Sequence, residues 1–363
     1  IKTKDVRGVY KSRNPIYHKL LVVDKVNGGK ADALNVGINI SSNKYLVCID
    51  VDCILSSDSI SRMVRPFMEE TNRKVIAVGG VIGIANNCDV QDGTVTHYRI
   101  PESTLGKFQV IEYFRAFLMG RMAWSRINGL MLISGAFGFF KTDLVRKVGG
   151  YFPKTVGEDM ELVVRMRRYM DEHEIPYKLG FVPDPLCWTE VPESEDVLSR
   201  QRNRWMRGTI ETLQLHRTAR LNPKYGVLGM VSYPFWSIFE KSGPVLEITG
   251  LIYTLILLVT GDFSAIYFFA LLALMYLLSL LVSAFSVLYE QVAFNNYKDK
   301  KDLRKLIWMI ILEPFIVHPK IIWWGLKGHI DFIKGKGGWG GMIRTGFKKA
   351  EDKKNIPTTA STT

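Results

Sequence analysis

Two apolar runs, residues 246–260 and 263–289, restrict this chain more than any other feature. The second holds no charged side chain over a length sufficient to cross a bilayer with some tilt, and the first is long enough if residues 243–248 contribute to its start. The loop that follows carries Lys298, Lys300, Lys301, Arg304 and Lys305, so the positive-inside rule places it in the cytoplasm. Two spans separate it from residues 1–223, which therefore share that side. Residues 224–242, with Trp236, Phe239, Lys241 and two tyrosines, have the mixture of an interfacial amphipathic helix. A third apolar segment, 306–326, is interrupted by Glu313-Pro314 and His318-Pro319-Lys320 and is followed by a basic stretch that returns to the cytoplasm. A broken or re-entrant path satisfies both facts better than a simple crossing. The expected division is a cytosolic domain over 1–223, an interfacial helix over 224–242, a membrane region over 243–333 and a basic cytosolic tail over 334–363, disordered after Lys348.

The net charge of +13 raises nucleic acid, anionic lipid or a polyphosphate substrate as partners. The basic residues are scattered, part of the excess belongs to membrane flanks, and no nucleic-acid module is recognisable; nucleic acid is set aside. Cys48, Cys53, Cys88 and Cys187 form no C-x-x-C pair and no zinc spacing with the six histidines, which suits small buried residues in a reduced compartment. The chain opens Ile-Lys-Thr-Lys without an initiator Met, a signal peptide or an apolar anchor, and reads as a fragment.

Within 1–223 the pattern is α/β. Residues 45–49 form a short apolar run ending in Asp50-Val-Asp52, read as a strand buried on both faces of a parallel sheet, and residues 75–84 read likewise. Ser56 or Ser57 is placed to cap a helix reaching Glu70. Helices are expected over 106–127, over 158–172 with Asp159 facing inward alongside Leu162, Val163, Met166 and Met170, and from Pro192 onward. On the last, Gln201, Arg204, Trp205 and Gly208 share a face while Arg202 points elsewhere. In such sheets ligands sit beyond the carboxyl ends of strands, where Asp50 and Asp52 fall.

The chemistry-bearing residues lie in five places. Asp50 and Asp52, one residue apart at a strand end, suit a hard divalent cation that also binds phosphate oxygens, or else a capping pair in a turn. Asp159 is a candidate general base, or an acidic residue favoured by a helix N-terminus. Arg204 beside Trp205 offers a diphosphate contact and a stacking surface for a sugar, or a buried Trp beneath a basic helix. Asn27-Gly-Gly-Lys30 allows close backbone approach, with Lys30 as a phosphate or base contact, or is a plain turn. Ser134-Gly-Ala-Phe-Gly138 interrupts an apolar stretch.

Taken in order, N-G-G-K-A-D-A-L-N, D-x-D after a strand, S-G-A-F-G-F-F, G-E-D, Q-R-x-R-W and then membrane segments, the chain resembles the processive family 2 glycosyltransferases: cellulose, chitin, hyaluronan and poly-N-acetylglucosamine synthases. The resemblance covers nearly the whole chain. It implies a GT-A α/β domain followed by transmembrane helices, a UDP-sugar donor and inverting transfer to a growing β-linked glycan. Lys30 would lie near the uridine, and Asp50 and Asp52 at the nucleotide with its Mg²⁺ or Mn²⁺. Asp159 would be the base, and Gln201, Arg202 and Arg204 would sit near the diphosphate. Ser134, Gly135, Phe137, Glu158 and Trp205 would border the acceptor. It further implies a multi-pass protein of the inner (plasma) membrane, with accessory export subunits as possible partners. The family's first strand and acidic nucleotide motif would precede Ile1, so truncation is expected. Addition of a single sugar to a lipid carrier, and a non-catalytic glycan-binding subunit, are the alternatives.

Overall fold

The computed structural model describes residues 1–338. A hairpin of β1 (Val6–Lys11) and β2 (Leu21–Lys25) leads through Gly29, at φ 86°, into α1 (Lys30–Ile40). The left-handed turn at Gly29 is one that a residue with a Cβ adopts only under strain. Then follow β3 (Tyr45–Ile49), β4 (Cys53–Leu55), α2 (Ser59–Met68), β5 (Lys74–Ile84) and a small hairpin, β6 (Asp89–Gln91) with β7 (Thr94–His97). A long helical segment begins as α3 (Thr104–Tyr113), widens to π geometry over Phe114–Arg121 and closes as α4 (Met122–Arg126). The domain is completed by β8 (Phe137–Lys141), α5 (Thr142–Lys147), α6 (Glu158–Glu172), β9 (Tyr177–Thr189) and α7 (Glu195–Leu215).

The main sheet runs β3-β8-β5-β9-β4 and is mixed: β8 is antiparallel to both β3 and β5, while β5 and β9 are parallel. This corrects the reading of residues 45–49 as a strand inside a parallel sheet. β3 is an edge strand here, and its side chains alternate, Leu46 and Cys48 being buried while Tyr45, Val47 and Ile49 are more exposed. The continuous apolar run of β5 matches its central place, since it is buried on both faces. One face is covered by α1, α5 and α6 through Ile38, Val145, Leu162 and Met166. The other is covered by α2 and α3 and by residues far along the chain, among them Tyr297, Leu306 and Ile310. Two helix starts also differ from expectation. α2 is entered from Asp58, whose carboxylate accepts from Ser56 Oγ at 3.0 Å, so the serine braces the acid instead of the helix. α7 starts at Glu195, because the Pro192 carbonyl accepts from Gln109 Nε2 at 2.7 Å and holds that residue in the preceding loop.

Beyond α7 the chain passes through short turns, π-helical Leu228–Ser232, α8 (Tyr233–Phe235) and π-helical Trp236–Lys241. These lead into α9 (Gly243–Thr260) and α10 (Ala265–Ala293), both long and apolar enough to cross a membrane. They are joined by a tight turn at Gly261, φ 81°, and form a helical hairpin. The chain after α10 returns to the domain: Tyr297 packs edge-on to Phe114 at 5.9 Å and Asp302 Oδ2 accepts from the Ile100 amide at 3.3 Å. Both ends of the hairpin thus lie on the domain's side. α11 (Lys300–Ile316) and α12 (His318–Ile333) meet at a 50° bend, flanked by Pro314 and Pro319, whose missing N–H groups weaken the helical ladder there. α12 lies against α7, with Gly328 close to Met206 and Asn203 Nδ2 donating to Asp331 Oδ2 at 2.9 Å. The expected tail beyond 338 lies outside the described residues.

α6 and α7 cross almost backbone to backbone. A Cβ on Gly208 would stand 2.7 Å from Gly157 Cα, and one on Gly157 would stand 2.8 Å from Gly208 Cα. Gly208→Ala is expected to cost about 1–3 kcal/mol of stability through overpacking, against a gain of roughly 0.8–1.0 kcal/mol in helix propensity. A lowered thermal midpoint in detergent, with a larger loss of turnover than of stability, is the expected result; an unchanged midpoint would show that the crossing tolerates a methyl group.

Candidate active site

The register of the sheet edge assembles the first half of the site. Ile49, the last residue of β3, pairs with Phe137, the first of β8, and the Asp50 amide donates to the Ala136 carbonyl at 3.2 Å. The Asp50-Val51-Asp52 turn therefore sits beside the Ser134-Gly135-Ala136 loop. Val51 is fully exposed at the tip of that turn, while Asp50 and Asp52 on either side of it are half-buried.

Lys30, the first residue of α1, joins both loops. Its Nζ is 2.5 Å from Asp50 Oδ1 and 3.8 Å from Glu158 Oε1, and it donates to the Gly135 carbonyl at 3.2 Å. Burial opposes the ammonium charge, but Asp50, Glu158 and Asp159 outweigh it and hold Lys30 above the usual lysine range. The Gly135 amide in turn donates to Asp159 Oδ2 at 3.1 Å, while Asp159 Oδ1 accepts from the Met160 amide at 2.8 Å. A side chain at position 135 would point into this junction, its Cβ 3.0 Å from Lys30 Nζ and 3.2 Å from Asp159 Oδ2.

Glu158 and Asp159 open α6, and α7 is brought over them by the glycine crossing. Arg204 is the cation of α7 that feels them: burial lowers its pKa, while Glu158, Asp159 and Asp50 pull the other way. Glu158 is only 2% exposed, and burial together with the adjacent Asp159 pushes its carboxyl up to about 7 despite the attraction of Lys30 and Arg204. Trp205, the next residue of α7, is 41% exposed and presents a ring to solvent. Gln201 Oε1 is buried with no hydrogen-bond partner among the described residues, an arrangement expected where a ligand completes the site.

Two expected residues stand apart. Arg202 is buried, its guanidinium held by both oxygens of Glu112 on α3, with Nη2 to Oε2 at 2.6 Å, and it lies 4.3 Å over the Trp205 ring. Its position supports Trp205 and not the acid cluster, as its helical phase implied. Phe137 is wholly buried in the core beneath the sheet edge, so its side chain offers no surface to an acceptor. Conversely, Arg121 was invisible in the sequence. It ends the π-helical segment, lies 3.9 Å over Phe117, and has its pKa drawn down to about 10 by burial against the pull of Asp159. Neither Arg121 nor Glu112 stands in a motif; only the fold brings them to this place.

Among the described residues no group of three or more His, Cys, Asp or Glu side chains is arranged to hold a metal by itself. Two carboxylates are the donor type that Mg²⁺ or Mn²⁺ takes when substrate phosphates supply the remaining oxygens, and Asp50 and Asp52 are of that type, with Asp50 Oδ1 already engaged by Lys30.

The sheet with helices on both faces, the acid cluster at its edge and the apolar helices that follow agree with the comparison to known sequences: residues 45–288 match the family described as glycosyl transferase family group 2, and the chain belongs to that family. It is 34% identical over 197 residues to a poly-beta-1,6-N-acetyl-D-glucosamine synthase of Staphylococcus epidermidis, an alignment covering 54% of this chain and 42% of that protein. It is 33% identical over 189 residues to the synthase of the same description from Staphylococcus aureus, covering 52% and 40% respectively. The alignments thus span less than half the length of these relatives. Among solved structures, a mannosyltransferase from Pyrobaculum calidifontis, in complex with GDP-Man and Mn²⁺, superposes with a TM-score of 0.47 at 13% identity, covering 86% of this chain and 69% of that one.

The raised Glu158 carboxyl gives a signed prediction. Between the ordinary glutamate value and about 7 the folded protein holds a proton that the unfolded chain has lost, so stability is full at low pH and falls as pH rises through that window. In the ligand-free protein, Glu158→Gln should flatten this part of a plot of thermal midpoint against pH and leave the variant the more stable of the two at pH 8. Parallel curves would show that Glu158 ionises normally.

Proposed function

We propose that the protein transfers a hexose from a UDP-sugar to a growing β-linked polysaccharide at the cytoplasmic face of the membrane, with inversion at the anomeric carbon. The observation that carries this reading is the convergence of Lys30, Asp50, Gly135, Glu158, Asp159 and Arg204, drawn from separate stretches of chain, on one corner of the sheet. The likeness to two poly-beta-1,6-N-acetyl-D-glucosamine synthases makes UDP-N-acetylglucosamine the first donor to test.

In this reading Asp159 accepts the proton of the acceptor hydroxyl as its oxygen bonds to the anomeric carbon, and the bond from that carbon to the diphosphate breaks on the opposite side. The Gly135 and Met160 amides keep the Asp159 carboxylate oriented for that transfer. Arg204 and Lys30 stand near the departing diphosphate, and Gln201 lies on the same helical face as Arg204. A Mg²⁺ or Mn²⁺ ion held by Asp50 and Asp52 would neutralise phosphate charge. Trp205, braced by Arg202, provides a flat face for a pyranose ring, and Ser134, Gly135 and Glu158 border the acceptor beside it. α9 and α10 span the bilayer, the bent pair α11–α12 runs along its cytoplasmic side, and accessory subunits would complete export.

The reaction is tested with membranes that contain the full-length protein, supplied with UDP-N-acetylglucosamine or UDP-glucose and Mn²⁺. Long polymer supports the proposal; a lipid-linked monosaccharide, or no product with either donor, would replace it with one of the alternatives. Asp159→Asn should lower turnover by roughly 10²–10⁴-fold, the range of general-base contributions, with UDP affinity nearly unchanged. Comparable loss of UDP binding would give Asp159 another role. Asp52→Ala should weaken Mn²⁺-dependent UDP binding by at least the roughly 10–100-fold that loss of even an outer-shell partner brings to metal sites, leaving metal-free binding alone. Metal dependence equal to that of the wild type would remove Asp52 from the ion's surroundings.

A further inference from the structure

A cleft of about 760 Å³, separate from the acid cluster, opens between the C-terminal end of α7, the loop before α6 and the π-helical turns that precede α9. Accessible apolar side chains, Phe152 and Leu215, line it together with four cations, Lys154, Arg217, Arg220 and Lys241. Glu211 is the one acidic residue of the lining, and its Oε2 is already occupied by Thr155 Oγ1 at 2.7 Å and the Val156 amide at 2.9 Å. Among the described residues none of the four cations forms an ion pair or a side-chain hydrogen bond. Neighbouring arginines behave otherwise: Arg165, Arg168 and Arg207 are engaged by Glu161, Glu172 and Asn203. Four positive charges gathered on an amphipathic cleft against the single carboxylate of Glu211 leave it net positive and favour an anionic ligand with an apolar body.

The position of the cleft indicates where that ligand comes from. Lys241 ends the turns that carry Ile238 and Phe239, exposed by 50% and 63%, and Gly243 begins α9, the first membrane-length helix, two residues later. A rim at this point lies at the level of lipid headgroups, where each Lys or Arg gains from anionic lipid. We propose that the cleft binds one anionic phospholipid, its phosphate among Lys154, Arg217, Arg220 and Lys241 and its first methylenes along Phe152 and Leu215. Lys154 precedes Gly157 by three residues, and the intervening Thr155 and Val156 are tied to Glu211 on α7. The bound headgroup therefore steadies the segment that delivers Gly157, Glu158 and Asp159, and couples the acid cluster to membrane composition.

Lipid binding itself is the readout, so the result does not depend on the proposed reaction. Delipidated full-length protein in detergent is titrated with dioleoyl phosphatidylglycerol or phosphatidylcholine and followed by native mass spectrometry. One phosphatidylglycerol should bind in preference to phosphatidylcholine. The pair Arg217→Gln/Arg220→Gln should weaken that first event by roughly 25-fold, about fivefold for each charge removed. Lys154→Gln/Lys241→Gln, on the other walls, should do the same. A control pair of equal charge loss, Lys298→Gln/Lys300→Gln, should change nothing. No preference for phosphatidylglycerol, equal loss in the control pair, or displacement of the lipid by inorganic phosphate would overturn the proposal, the last because it would identify a soluble phosphate site.

Discussion

The contact between Gly157 and Gly208 is the constraint on which the site depends. Helices ordinarily pack with their axes 8–10 Å apart because side chains separate them. Here two glycines remove that spacer at one point, and the backbone before α6 meets the backbone of α7 directly. The crossing lies one residue before Glu158 and about one helical turn after Arg204, so a single close approach sets the acids of one helix under the cation of the other. Glu211 reinforces it one turn further along α7 by accepting from Thr155 and Val156. A Cβ on either glycine would stand within 2.8 Å of the facing backbone, so a larger residue there would push the two halves of the cluster apart.

The same helix is held from the opposite side. α12, which follows the membrane hairpin, lies against α7 through Gly325 and Gly328, both close to Met206. Arg207 donates to the carbonyls of Lys336 at 2.6 Å and Gly338 at 3.0 Å. α11 supplies Leu306, Met309 and Ile310 to the core of the sheet domain. Arg115 of the π-helical segment makes a two-pronged pair with Glu313 of α11, both contacts 2.6 Å, and reaches Ser283 of α10 at 2.8 Å. A partly desolvated pair of this kind is costly to break from one side, so the domain and the membrane helices behave as one packed body. Trp205 and the acid cluster are thereby fixed relative to the hairpin.

Electrostatically, the site concentrates like charges and then balances them. Asp50, Glu158 and Asp159 would repel one another at the sheet edge; Lys30, Arg204 and Arg121 offset this, the two arginines at a cost in desolvation that lowers their pKa values, while Lys30 is held above its usual range by the acids. In the proposed reaction a further ion and a diphosphate would add partners to groups already removed from water.

Local chemistry was enough to read much of this from the sequence. The 3.6-residue period of 158–172 gave α6 with its actual bounds and turned Asp159 inward, apolar length marked α9 and α10, and helical phase separated Arg204 from Arg202. The order of the motifs identified the family. What local pattern does not encode is which strand lies beside which. Residues 45–49 read as an interior parallel strand, because apolar content reports burial and not pairing; their place at the edge beside β8 follows from the whole sheet. Phe137 sits inside one of the family-like motifs yet faces the core, whereas Arg121 and Glu112 reach the candidate site or its support with no motif at all. Composition and period act along the chain and determined the elements and their faces. The meeting of Lys30, Asp50, Gly135, Asp159 and Arg204 is a contact across more than a hundred residues, and only the tertiary fold, through sheet register and a backbone-to-backbone crossing, decided it.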